Sequence, residues 1–245
     1  MTLPLPINGV HTLFDLLALS VAAASGYGVY RWRFVAAYAQ TSQRAGKHYL
    51  LALLIGSSFG AHLFGTWNLI LSDIPGVGRS ILGALVGAIL TVELYKLMRG
   101  VRGSTGYIYA LPFCVVVALG RLGCFLSGLD DHTHGLPTDL PWGWDYGDGT
   151  PRHPVQLYES AAMAATALFL LWRLWRAPEW VIHYGFYGVV GIYGAQRFVW
   201  EFHKPYGPLA GGLNLFHWLC LGLMAYSLWM VWRQAKNTVR EDERY

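Results

Sequence analysis

The stretch Tyr107–Gly128, YIYALPFCVVVALGRLGCFLSG, decides the fold. It is 22 residues long and its only charged side chain is Arg121. About 20 helical residues, rising about 1.5 Å each, cross a hydrocarbon core of about 30 Å. The apolar residues are continuous rather than alternating. A helix, which satisfies its own backbone groups in lipid, therefore fits better than a barrel strand. Six further runs read the same way, at about 13–30, 49–71, 80–98, 155–175, 182–200 and 211–232. The first is the weakest, because Gly26 and Gly28 interrupt it. Across all 245 residues 54% are hydrophobic and 13% charged, against about 25% charged in a soluble domain. The chain reads as an all-α integral membrane protein of about seven spans, a single transmembrane domain over 1–245.

Basic residues set the expected orientation. Arg31, Arg33, Arg44, Lys47, Lys96, Arg99, Arg102, Arg173, Arg176, Arg233, Lys236, Arg240 and Arg244 fall on one side, 13 in all, against Arg79, Arg152 and Lys204 on the other. The positive-inside rule puts the 13 in the cytoplasm, so the N-terminus is outside and the C-terminus inside. The net charge of +4 is accounted for by these flanks and calls for no nucleic-acid partner. No Lys or Arg precedes Arg31, so the first run lacks a charged n-region and reads as a retained span. Cys114, Cys124 and Cys220 all fall inside spans, which suggests no disulfide framework.

The informative residues gather at the outer face. The one long loop, 129–154, carries Asp130, Asp131, Asp139, Asp145 and Asp148 among Gly and Pro turn signals. Two arginines lie within spans. Arg121 sits about 10 Å below the outer end of its helix, and Arg197 about one turn below the end of another. A charge in the membrane costs at least about 2.5 kcal/mol, so it points to function, although an arginine near a helix end can also snorkel to the headgroups. In GRLGCFLSG, 120–128, Arg121, Cys124, Phe125 and Gly128 share one face, and Gly120 and Gly123 allow a backbone or a lipid to come close. The glycines alone would fit a packing seam. A guanidinium there suits a phosphate, which it binds bidentately.

In RHPVQLYES, 152–160, Pro154 suits the first turn of the fifth span, with His153 at the outer surface and Gln156 and Glu159 pointing inward. His153 is equally readable as a structural cap. In IYGAQRFVWEFHKP, 192–205, Tyr193, Arg197 and Glu201 form an i, i+4, i+8 stripe ending at Lys204. Arg197 with Glu201 is equally readable as a structural ion pair. His62 reads as a buried, hydrogen-bonded histidine, and Glu93 as structural or paired with Lys96. Asp130, Asp131, His132 and His134 lack a third distant ligand, so neither a metal nor another cofactor is expected.

GRLGCFLSG, RHPVQLYES and YGAQRFVWEF, taken in this order over roughly 79–206, resemble the signatures of the bacterial prolipoprotein diacylglyceryl transferase family. Tyr27-Gly28 in the first span is a faint further match. The sequence departs from the family at several points. Cys124 stands where the family has Asn, Ser127 and Leu129 replace a following Asn and Glu, and His62 replaces an Arg. SILGA, 80–84, aligns with the family's SFHGG, which puts Leu82 in the place of its important histidine.

The resemblance implies transfer of a diacylglyceryl group from phosphatidylglycerol to the thiol of a lipoprotein-precursor cysteine. Glycerol phosphate is released on the outer face of the bacterial cytoplasmic membrane. By matching position, Arg121 and Arg197 would stabilise the phosphate. Tyr27, Gly120, Gly123, Cys124, Gln156, Tyr158, Tyr193 and Glu201 would line the substrate site. With Leu82 in the histidine position, the base is expected to come from His153, Glu159 or His62, or else the acceptor differs. A phospholipid-binding relative without turnover is the second reading. A transporter is the third, weakened because no inverted repeat is visible.

Overall fold

The computed structural model describes residues 7–242, without the side chains of residues 7, 8, 130, 131 and 237–242. Asp130 and Asp131 of the weighed metal cluster, and the tail's Arg240, are thus outside the described side chains, and Arg244 is outside the described residues. The helices are α1 (Ile7–Val29), α2 (Val35–Ala45), α3 (Tyr49–Leu71), α4 (Ile81–Arg99), α5 (Tyr107–Ser127), α6 (Val155–Arg176), α7 (Pro178–Trp180), α8 (Phe186–Glu201) and α9 (Leu215–Asp242).

Six helical runs among the described residues are long and apolar enough to cross a membrane. The surface confirms the solvent they suit. Phe59, Ile70, Leu97, Leu168 and Leu228 are each more than 60% exposed, whereas Arg197, Glu159 and Glu201 are buried. That inverts the distribution of a water-soluble domain. The protein is an all-α integral membrane protein.

The expected sixth run, 182–200, is helical from Pro178 to Glu201 but is broken by a wide π turn at Val181–Gly185. Its regular part, α8, has 16 residues, fewer than the roughly 20 that span a core alone. The first run is stronger than its glycines suggest. α1 continues through Gly26 and Gly28 and, by a second π turn at Tyr30–Phe34, into α2. Gly26 is where α1 meets α5, since a Cβ there would lie 2.8 Å from Pro112 Cγ.

Packing pairs α3 with α4, α1 with α5, α5 with α6 and α8 with α9. The α3–α4 seam is built from glycines on both sides. A Cβ on Gly60 would lie 2.8 Å from Gly87 Cα, and one on Gly65 2.7 Å from the Gly78 carbonyl carbon. Small residues let helix backbones approach in lipid, where dispersion between closely fitted surfaces replaces the hydrophobic effect. This seam also corrects the expectation for His62. The glycine face of α3 turns toward α4 and leaves His62 exposed.

The 129–154 loop is ordered by a small hairpin, β1 (Trp144–Asp145) antiparallel to β2 (Pro151–Arg152), with Trp144 opposite Arg152. Asp145 Oδ1 accepts from the backbone N–H groups of Gly147, Asp148 and Gly149. Asp148 takes a bidentate bond from Arg152, 2.7 Å at each oxygen. That bond pulls the exposed Asp148 carboxyl down to about 2.

Candidate active site

α5 carries Arg121 to Glu159 on α6, with Nε 2.7 Å from Oε2. The same oxygen accepts from Arg197 Nη1 on α8 at 3.0 Å, while the other accepts from Lys204 Nζ just beyond α8. Arg197 Nε reaches Glu201 Oε2 one turn on at 2.8 Å, and Asn214 Nδ2 donates to Glu201 Oε1 at 3.4 Å. Arg197 also lies over the Phe216 ring, 5.4 Å from its centroid. All six polar residues are buried. A lone buried charge would be prohibitive, so the five charges are stable only as a group. Three cations face two carboxylates, which leaves one positive charge in excess.

Arg121 and Arg197 form part of the wall of a cavity of about 920 Å³. Its lining includes Gly78, Arg79, His132 and Tyr206, from the segments after α3, α5 and α8, so it reaches the end of the helices where the 129–154 loop lies. Gly120 lines it and has open space where a Cβ would stand. Cys124 lines it, with Sγ 3.9 Å from Arg121 Nη1. Gly123 does something else. It seats Phe14 of α1, whose Cβ would be 2.5 Å from a side chain added there. Tyr193 is buried beside the cluster, its ring edge-on to Phe113 and its hydroxyl without a hydrogen-bond partner among the described residues.

Other expected site residues stand apart from the cavity wall. Gln156 is buried, accepts from Tyr146 Oη at 3.0 Å and donates to Thr133 at 3.4 Å, so it fixes the loop over the site. His153 packs on His203, ring centroids 4.7 Å apart, with Nδ1 3.5 Å from the Tyr158 hydroxyl. Burial first, and then the neighbouring His203, push its pKa down from the ordinary value. Tyr158 in turn accepts from Trp142 Nε1 at 2.9 Å. Tyr27 is 65% exposed, against Tyr30 and next to the Gly26–Pro112 contact. Leu82 is fully buried, while its neighbours Ser80, Ile81 and Ala84 line the cavity. Glu93 bonds Lys96 at 2.9 Å and accepts from Tyr226 Oη at 2.9 Å.

Sequence reading gave little or no weight to four residues. Lys204 appeared only as the end of a stripe, and its reach back to Glu159 needs the turn after α8. Asn214 gave no local signal. His11 and Asp15 on α1 both line the cavity and bond each other, Nδ1 to Oδ2, at 3.1 Å. Their i, i+4 spacing was the available clue.

The model of the prolipoprotein diacylglyceryl transferase family matches residues 13–233. Among curated relatives, the phosphatidylglycerol–prolipoprotein diacylglyceryl transferase of Bordetella avium (strain 197N) is 33% identical over 67% of this chain and 64% of its own. That of Cupriavidus pinatubonensis is 32% identical over 68% and 62%, and that of Cupriavidus metallidurans 30% over 74% and 71%. The chain thus spans under two thirds of the length of the first two. No solved structure matches it. With a family match over nearly the whole described chain, the protein belongs to the prolipoprotein diacylglyceryl transferase family.

Proposed function

We propose that the protein transfers a diacylglyceryl group from phosphatidylglycerol to the cysteine thiol of a lipoprotein precursor. It would do so at the non-cytoplasmic face of a bacterial cytoplasmic membrane. The observation that carries this reading is the excess positive charge on the cavity wall, presented by Arg121 and Arg197. The reaction breaks a bond between carbon and phosphate oxygen, so negative charge grows on the departing glycerol phosphate. Preorganised guanidinium groups in a site of low dielectric stabilise that charge without reorganising. Glu159 does not serve as the base in this reading, because both its oxygens are held by cations. It braces the two arginines, as Glu201 braces Arg197. The cavity's apolar stretch between α1, α3, α4 and α5 takes the acyl chains, and its rim takes the headgroup and the peptide. The outward orientation rests on the distribution of basic residues.

The test is the purified protein in vesicles with labelled phosphatidylglycerol and a peptide bearing the precursor's cysteine. Lipidated peptide and glycerol phosphate in equal amounts are the expected products. Lipid binding with no product from the wild-type protein would overturn the reading in favour of a relative without turnover, which the replacement at Leu82 motivates.

A further inference from the structure

A second polar cavity, of about 790 Å³, lies at the opposite end of the helices from the 129–154 loop. α4 and α5 fix its place. Ile81 and Ala84, at the start of α4, line the cavity of Arg121, whereas Glu93 and Lys96, near the end of the same helix, line this one. α5 runs the other way, from Thr105 just before it at this cavity to Arg121 and Cys124 at the first. The basic flanks lie at this end, which the positive-inside rule would make cytoplasmic. We propose that this cavity is a binding site for a phosphate group at the depth of the lipid headgroups. It uses none of the residues of the transfer site and does not depend on the transferase reading.

Arg44, Lys96, Arg102 and Arg233 line the cavity against Glu93 and Glu179, which leaves two positive charges in excess. Lys96 is buried and bonds Glu93 at 2.9 Å, and Tyr226 Oη donates to the same carboxylate oxygen at 2.9 Å, so this pair is matched internally. The excess therefore rests on Arg44, Arg102 and Arg233, which come from α2, from the segment after α4 and from α9. Like charges converging on one cavity repel, and an anion between them removes that cost. Guanidinium planes match phosphate oxygens bidentately. Ser104 and Thr105 add hydroxyl groups to the same wall, just ahead of the positive end of the α5 dipole.

The walls are tied to one another by hydroxyl groups. Thr41 bonds Tyr107 Oη at 3.1 Å, Tyr49 Oη donates to Thr105 at 3.0 Å, and Tyr95 Oη donates to the Ala45 carbonyl at 2.7 Å. These bonds join α2, α3, α4 and the start of α5, so the cavity is preformed. Both π turns among the described residues border it. Val181–Gly185 supplies Ile182 and His183, and Ala36 and Ala37 follow Tyr30–Phe34. Such turns are rare and gather at functional sites. Trp32, Trp175, Trp229 and Trp232, at this end, are each at least 50% exposed. Exposed tryptophans collect at headgroup depth, which is where lipid phosphates lie.

The test uses the full-length protein in phosphatidylcholine vesicles containing phosphatidic acid, with retained phosphatidic acid titrated by native mass spectrometry. Arg102→Gln and Arg233→Gln should each weaken retention about fivefold, and the two together more than about tenfold. Arg31→Gln and Arg176→Gln are the controls, exposed arginines at the same end that do not line the cavity, and should leave retention unchanged. Lys96 is left in place, since its removal would strand Glu93. Phosphate held by Arg121 in the other cavity is a constant background to these comparisons. A parallel arm offers labelled inorganic phosphate in solution over pure phosphatidylcholine. Retained lipid that phosphate does not displace identifies a headgroup as the source. Labelled phosphate bound with the same dependence on Arg102 and Arg233 identifies a soluble one. Binding of neither probe, equal affinity in wild type and the double variant, or an equal loss in the controls would overturn the site. Transfer activity is not read, so none of these outcomes bears on the transferase reading.

Discussion

At the scale of single residues, the site depends on guanidinium shape as much as on charge. Arg121 splits its donors between Glu159 and the cavity, where Nη1 faces Cys124. A lysine keeps the charge but has one compact ammonium that cannot do both. Arg121→Lys should therefore reduce transfer, and Arg121→Ala should cost about 10²–10³-fold in kcat while the protein still inserts. Wild-type kcat in Arg121→Ala would remove the phosphate assignment. Glu159 has the opposite role. Glu159→Gln would leave three buried cations facing only Glu201. Breaking a buried pair in this way costs about 3–5 kcal/mol, so the variant should melt earlier in detergent and express poorly. Arg197 is shared between Glu159 and Glu201. A double-mutant cycle on Arg197 and Glu201 should thus show coupling without full rescue, because Glu159 loses a partner as well.

At the scale of elements, close helix approach aims the polar residues. The α3–α4 glycine seam fixes where α4 begins, and the segment 77–81 at that end supplies the cavity rim. Gly60→Leu would drive a side chain into the backbone of α4 at Gly83 and Gly87, which cannot move aside as a flexible side chain would. The cost should reach the upper end of overpacking, about 3 kcal/mol, and show as a lower melting temperature. An unchanged melt would mean that the two helices separate freely. The π turn interrupts the helical run before α8, and within α8 Arg197 bonds Glu201 one turn on while it reaches Glu159 on α6. Pro154 at the start of α6 and the hairpin above it hold Gln156 and Glu159 at the level of Arg121.

At the scale of the whole molecule, the basic flanks and the cavity mouth fall at different ends of the helices, and the positive-inside rule would put the first in the cytoplasm and the second outside. Asp139 is exposed on the ordered loop. In a background without other reactive cysteines, Asp139→Cys should be labelled by an impermeant maleimide in intact cells. Arg240→Cys should be labelled only after the membrane is opened. The reverse pattern would invert the topology and move the site to the wrong face for a lipoprotein precursor. The exposed apolar belt, with Leu97, Leu168 and Leu228 outermost, is the surface that lipid covers.

The sequence by itself determined the solvent of this protein, most of its long apolar helices, and the residues whose charge is out of place in lipid. Those features are local. A continuous apolar run needs no partner to be read, and an arginine inside it is anomalous wherever the helix packs. It also carried the family resemblance through three stretches, which the family match then bore out. What only the tertiary structure decided was partnership. Glu159 looked like a candidate base until three cations from α5, α8 and the turn after it closed on its oxygens. His62 looked buried until the glycine face of α3 turned the other way. His11 and Asp15 carried no weight until α1 packed on α5 through Gly26 and Gly123, across 113 residues of chain from His11 to Cys124. Charge and hydropathy are written residue by residue, whereas contact between distant helices depends on shape complementarity that no single segment contains.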